Sequence, residues 1–304
     1  MSTAPELLAI GETMAMVAPA SGGRLAEAEQ FRLDAGGAES NVAAHVAALG
    51  HRSAWFSRLG DDSLGRRVAA QLAARGVDVS RVVVDPAHPT GLYVKDPGHG
   101  VAYYRAGSAA SRLSPADADA VEFAGVRILH LSGITAAISE SAAAFLSRVI
   151  DRAHDAGVLV SFDVNHRAAL WDHAAAAGAL AALADRADLL FTGRDEAESL
   201  WGTATALDVR ARFPGVAEVV VKDGDVGATV FVGSSDVFEP SLVVDVVDVV
   251  GAGDAFAGGY LAALLEGAAP RDRLRAGHAR AALTLTTTAD SVADPTTADE
   301  RPIP

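Results

Sequence analysis

The chain contains no cysteine, which excludes a disulfide scaffold, a thiolate zinc site and a cysteine nucleophile. Lysine is almost as scarce: Lys95 and Lys222 stand alone, and arginine supplies the remaining positive charge. The formal net charge is -14. A surface of that sign repels phosphate backbones, so no nucleic-acid partner is expected, although a small anion needs only a local cluster of positive groups. No apolar run reaches the ~20 residues that span a bilayer. Residues 1–12 carry Glu6 and Glu12 and no basic side chain, which does not fit a secretory signal. A soluble cytoplasmic protein without a membrane partner is expected. No G-x-x-x-x-G-K-[ST] run occurs, so a P-loop enzyme is excluded.

Half of the 304 residues are apolar, enough for one large core. Short apolar runs at 7–12, 54–59, 127–132, 159–165, 188–192 and 218–222 read as strands buried on both faces. Between them lie Ala-rich helical stretches. Those at 41–49, 64–75, 141–156 and 254–266 end at Gly50, Gly76, Gly157 and Gly267, the usual stop signal. Alternating strands and helices predict an α/β fold, a mainly parallel sheet with helices on both faces. Ligands of such sheets bind beyond the carboxyl ends of the strands.

One segment departs from the alternation. Two β-prone runs, 91–95 and 101–105, flank Asp96-Pro97-Gly98-His99-Gly100, a hairpin signature. A symmetric turn places Tyr93 opposite Tyr103, with Arg105 on the same face. The hairpin is either a lid over a site or an ordinary edge hairpin. The stretch 294–304, rich in Pro, Thr and acidic residues, is expected to be a flexible tail.

The strongest local signal is Val246-Val247-Asp248-Val249-Val250-Gly251-Ala252-Gly253-Asp254-Ala255-Phe256. A β-prone run meets a Gly-Ala-Gly turn and then a helix. Successive N–H groups of such a turn point into one space, and the helix dipole adds positive potential there. The result is an anion hole for Gly251, Ala252 and Gly253, suited to a transferring phosphoryl group. Asp254 stands at its mouth, either as the acceptor of an attacking hydroxyl's proton or as a helix cap. Gly251-Ala252-Gly253 also begins like a dinucleotide fingerprint, but Phe256 occupies the place of the third glycine, which disfavours a nicotinamide-dependent oxidoreductase.

At this point several stretches, in order, resemble the PfkB (ribokinase-like) family of carbohydrate kinases, most of all its 2-keto-3-deoxygluconate kinase branch. Gly36-Gly37-Ala38-Glu39-Ser40-Asn41 resembles the N-terminal Gly-Gly signature, and Asp248 with Gly251–Phe256 the C-terminal one. The runs Tyr103-Tyr104-Arg105-Ala106-Gly107-Ser108 and Phe162-Asp163-Val164-Asn165-His166-Arg167 resemble that branch. The resemblance implies a single Rossmann-like kinase domain over 1–304 with a small β lid built from about 14–35 and 89–109. It implies ATP, Mg²⁺ and a small sugar acid as ligands, a possible K⁺, and a homo-oligomer through the lid.

By matching positions, Gly36, Gly37 and Asn41 would approach sugar hydroxyls, and Tyr93, Tyr103 and Arg105 would close from the lid. Arg105 and Arg167 converging on one small molecule suggest a carboxylate, which the guanidinium fork matches in charge and shape. Two unrelated surface ion pairs are the bland alternative. Asn165, Arg167, Lys222, Gly224 and Gly227 would line ATP, with the adenine between the turn after Lys222 and the helix carrying His278. Gly193 stands where many members have an Asn near the metal, while Glu196 remains to act on Mg²⁺ through water. Val249 and Val250 replace two threonines of the general signature. The expected reaction is ATP-dependent phosphorylation of 2-keto-3-deoxygluconate. The alternatives are the same transfer to 2-ketogluconate or fructose, and a non-catalytic sugar-binding protein on this fold.

Overall fold

A computed structural model describes residues 4–20 and 23–287. The expected tail, 294–304, lies outside the described residues. The strands Leu7–Ile10, Ile128–Ser132, Leu159–Asp163, Leu189–Gly193 and Glu218–Asp223 form where apolar runs predict them. Together with Ser53–Phe56 they make the parallel part of an eight-stranded sheet. A hairpin, Gly227–Val232 and Ser235–Pro240, extends one edge antiparallel.

Side chains alternate between the two faces of a strand, and here both faces are buried. Leu8 and Ile10 pack with Phe145 and Val149 on one side. Leu7 and Ala9 pack with Val42, Tyr260 and Leu261 on the other. Helices Glu140–Asp155 and His173–Ala184 cover the first face. Ala38–Ala48, Ser63–Ala74, Ala252–Leu265 and Pro270–Leu285 cover the second. The four predicted stop glycines, Gly50, Gly76, Gly157 and Gly267, have φ of 87°, 83°, 69° and 76°.

A separate four-stranded sheet runs Phe31–Gly36, Met14–Pro19, Leu92–Asp96, Gly100–Tyr104. Its hairpin has the predicted register, Tyr93 opposite Tyr103, with the two rings 6.0 Å apart.

One expectation needs correction. The single strand expected at 54–59 is two, Ser53–Phe56 and Arg58–Gly60, in different sheets. Arg58 bonds Asp85 at 2.9 Å and Asp117 at 2.7 Å, which draws the second piece toward Val83–Asp85. The β-prone run before Gly251 is not a strand. Val246, Val247 and Val249 are 57%, 59% and 69% exposed, and the Val247 N–H is held by the Leu285 carbonyl at 2.8 Å. Strand propensity without a partner strand yields an extended arm.

Helix Ala252–Leu265 is buried around most of its circumference. Two glycines permit this. A Cβ on Gly258 would lie 2.5 Å from the Cβ of His45, and one on Gly259 2.4 Å from the Ala276 carbonyl oxygen. Gly258→Val therefore lowers thermal stability by about 1–3 kcal/mol. Gly178, inside helix His173–Ala184, has no atom within 4 Å of its Cβ position. Gly178→Ala there raises stability by about 0.4–1 kcal/mol. Parallel denaturant melts of the two variants check the contrast.

Candidate active site

The site grows from the head of the buried helix. Gly251, at φ 82°, is the residue that caps Ala252–Leu265, so Asp254 falls in the first helical turn and is not the cap. Its Oδ2 accepts a 2.9 Å hydrogen bond from Asn41 Nδ2 on helix Ala38–Ala48. The Asn41 Oδ1 is buried without a partner among the described residues, leaving it able to accept from a ligand hydroxyl. Burial pushes the Asp254 carboxyl up to about 7. The Asn41 hydrogen bond, Arg167 and Lys222 oppose that rise, and the charge of Asp163 adds to it.

Lys222 ends strand Glu218–Asp223 and donates from Nζ to Asp163 Oδ2 at 2.8 Å. Burial works against its charge, but Asp163, Glu196 and Asp254 outweigh that and hold its pKa above the ordinary lysine value. The ammonium lies 3.6 Å from the Cβ position of Gly253, so positive charge faces the Gly-Ala-Gly turn. The Glu196 carboxyl is raised, by burial first and by Asp163 second. Its Oε1 accepts from the His166 N–H, and its Oε2 from Thr192 Oγ1 and the Gly193 N–H.

A cavity of about 690 Å³ opens between this helix head and the small sheet. Gly37 and Asn41 line it from one side, Gly36, Tyr93 and Tyr103 from the small sheet, and Arg105 from just past that sheet's outer strand. Asn165, Arg167, Glu196, Lys222, Gly251, Gly253 and Asp254 complete the wall from the carboxyl ends of the strands. The two glycines of the N-terminal signature are needed for close packing. A Cβ on Gly36 would lie 2.0 Å from the Tyr93 hydroxyl, and one on Gly37 2.5 Å from the Glu12 carbonyl oxygen. Asn165 holds a left-handed backbone at φ 43°, which turns the chain out of strand Leu159–Asp163 toward Arg167.

Arg105 does not present a free guanidinium. Its Nε donates to Glu12 Oε2 at 2.6 Å, and a terminal nitrogen bonds the same oxygen. Ser108 Oγ donates to the other oxygen, Oε1, at 2.5 Å. Arg105 also lies over the Tyr103 ring, 5.5 Å from its centre. The two arginines thus share one cavity with different charge: Arg105 is balanced by buried Glu12, whereas Arg167 is exposed and acts electrostatically on Asp254. Sequence reasoning passed over Glu12 and Asp163. Each is a carboxylate at or just past the carboxyl end of a buried strand, the position where α/β sheets bind ligands.

A second cavity, of about 680 Å³, adjoins the first. Gly224, Gly227 and Ala252 line it, with Leu242, Val243 and Val246 of the exposed arm and with His278. The His278 Nε2 lies 3.1 Å from the Glu239 carbonyl oxygen, and the ring packs edge-on to Phe256, so it is a packing residue at the cavity wall. Lys222 and Gly253 line both cavities. Two adjoining cavities, one lined by charged and tyrosine side chains and the other more apolar, thus meet at the Gly-Ala-Gly turn beside the Asp254 carboxyl.

Residues 4–297 match the pfkB family carbohydrate kinase, and the chain belongs to this family. It is 38% identical over 300 residues to 2-dehydro-3-deoxygluconokinase of Bacillus subtilis, covering 96% of this chain and 93% of that protein. It is 36% identical to the Thermoproteus tenax 2-dehydro-3-deoxygluconokinase, with 95% and 91% covered. Among solved structures, 2-dehydro-3-deoxygluconokinase of Thermotoga maritima superposes with a TM-score of 0.88 at 26% identity, covering 95% of this chain and 96% of that one.

The raised Asp254 pKa has a consequence for stability. Its folded value, about 7, lies above the ordinary value near 3.9. Ionised Asp254 therefore destabilises the fold increasingly as pH rises from about 4 to 7. Asp254→Asn raises the melting temperature at pH 8 and leaves it nearly unchanged at pH 3.5. Calorimetry at the two pH values checks the sign.

Proposed function

We propose that the protein transfers the γ-phosphoryl group of ATP to the primary hydroxyl of 2-keto-3-deoxygluconate, giving 2-keto-3-deoxy-6-phosphogluconate. The observation that carries this reading is Asp254, poised at a pKa of about 7, at the junction of an arginine- and tyrosine-lined cavity with an apolar one. The sugar hydroxyl oxygen attacks the γ-phosphorus, the bond to the bridging oxygen breaks, ADP leaves, and the hydroxyl proton passes to Asp254. Amides of the Gly251–Asp254 turn and the Lys222 ammonium stabilise charge on the moving group. Tyr93, Tyr103 and Arg105 hold the acid end of the sugar, and the two full-length relatives named for this substrate support that choice.

The site suits Mg²⁺. Asp163, Glu196 and Asp254 outnumber the two cations that act there, Lys222 and Arg167, and both Glu196 and Asp254 are raised in part by the charge of Asp163. A divalent cation there would offset the mutual repulsion of the carboxylates. No group of three acidic or histidine ligands among the described residues forms a direct metal cage, so Glu196 would hold the ion through water. When bound, Mg²⁺ neutralises phosphate charge.

In this reading the small sheet is a lid that closes the acceptor cavity and excludes water. Its outer strand Gly100–Tyr104 is exposed along its length, Tyr104 at 65%, which supports self-association through that sheet. A cytoplasmic setting follows from ATP as donor.

ADP release from MgATP with 2-keto-3-deoxygluconate, 2-ketogluconate, fructose and ribose tests the reading. The deoxy keto acid is expected to be turned over fastest, and Asp254→Ala to lower kcat roughly 10²–10⁴-fold. Arg105→Ala should weaken the acids far more than fructose; equal small losses would count against the acid reading. Because Asp254 must be ionised to accept the proton, wild-type kcat/KM falls as pH drops through about 7.

A further inference from the structure

The two cavities share one basic side chain, Lys222. A lysine carries a point charge on a flexible stem, and this one stands among three carboxylates, Asp163, Glu196 and Asp254. Without a fixed partner it would divide its time among them. Its 2.8 Å bond to Asp163 Oδ2 sets one direction, with the ammonium 3.6 Å from the Cβ position of Gly253. Asp163 is itself well fixed: it ends the central strand Leu159–Asp163, its side chain is 6% exposed, and its backbone is paired on both sides. The charged or titratable groups that act on it are Lys222, Glu196, Asp254 and the buried His130.

We propose that Asp163 is a positioning residue for phosphoryl transfer, holding the Lys222 ammonium across the junction of the two cavities and aimed at the Gly251–Asp254 turn. Charge in the loose transition state is spread over the equatorial oxygens of the moving group. A cation fixed at the junction meets those oxygens on both sides of the transfer, whereas one bonded to Glu196 or Asp254 would lie to one side. The Lys222–Asp163 pair thus keeps Lys222 from Asp254 and leaves that carboxylate to the acceptor hydroxyl. This rests on the reading of the protein as a phosphotransferase.

The test is a double-mutant cycle of Asp163→Asn, Lys222→Met and the double variant, read as kcat, sugar KM and half-saturating Mg²⁺. Each single change should lower kcat roughly 10²-fold and leave the sugar KM within about a factor of two. In the Lys222→Met background, Asp163→Asn should cost less than about threefold more. Multiplicative losses, or a rise in half-saturating Mg²⁺ on Asp163→Asn in that background, would overturn the proposal by giving Asp163 a role of its own on the metal. If Asp163→Asn alone fails to fold, Lys222→Met and the double variant still decide, since the proposal requires their kcat values to agree. A second readout needs no turnover: calorimetric binding of ATP and ADP without sugar. The preference for ATP should fall in Lys222→Met and no further in the double variant; a further fall would also overturn the proposal. Failure of the wild type to phosphorylate any sugar would sink the functional reading, and the binding cycle would still judge the positioning claim.

Discussion

The helix Ala252–Leu265 is buried nearly all round, and the candidate site at its head depends on that burial. A surface helix frays at its first turn, where four N–H groups lack partners. Here Gly258 and Gly259 let two neighbouring helices approach to contact, so the first turn is held by packing along the whole length behind it. The amides of that turn and the Asp254 carboxyl are therefore fixed in space before any ligand arrives. Such preorganisation lets donors stabilise developing charge without reorganising as the reaction occurs.

Burial also sets the electrostatics. Ionised groups in a dry site are costly unless paired, and the chain brings three carboxylates and one lysine to the carboxyl ends of its strands. Asp163 satisfies Lys222 directly, Asn41 satisfies part of Asp254, and backbone N–H groups satisfy Glu196. What remains is repulsion among the carboxylates, which raises Glu196 and Asp254 and which a divalent cation would offset. On the acceptor side the balance is different. Glu12 pairs with Arg105 in a buried contact, so the guanidinium is preset in geometry and its charge is already compensated.

Much of this was legible in the sequence because it is local. Apolar runs, stop glycines, the Pro-Gly turn between Tyr93 and Tyr103, and the Gly-Ala-Gly-Asp run each carry their own conformational cause. The parts that escaped are long-range or competitive. The Glu12–Arg105 pair joins residues 93 apart in the chain, and Lys222–Asp163 joins residues 59 apart; no periodicity encodes either. The strand at 54–59 breaks because Arg58 finds acids elsewhere in the fold, and the valines before Gly251 stay out of the sheet, with the Val247 N–H bonded to the Leu285 carbonyl instead. In both cases tertiary context overrode propensity.

The most direct measurement is a structure of the protein with 2-keto-3-deoxygluconate and a non-hydrolysable ATP analogue bound together. The account predicts the primary hydroxyl of the sugar within hydrogen-bond reach of Asp254, its carboxylate toward Arg105, and the γ-phosphoryl group between Lys222 and the Gly251–Asp254 turn. A sugar bound outside that cavity, or with its carboxylate against Asp254, would contradict it.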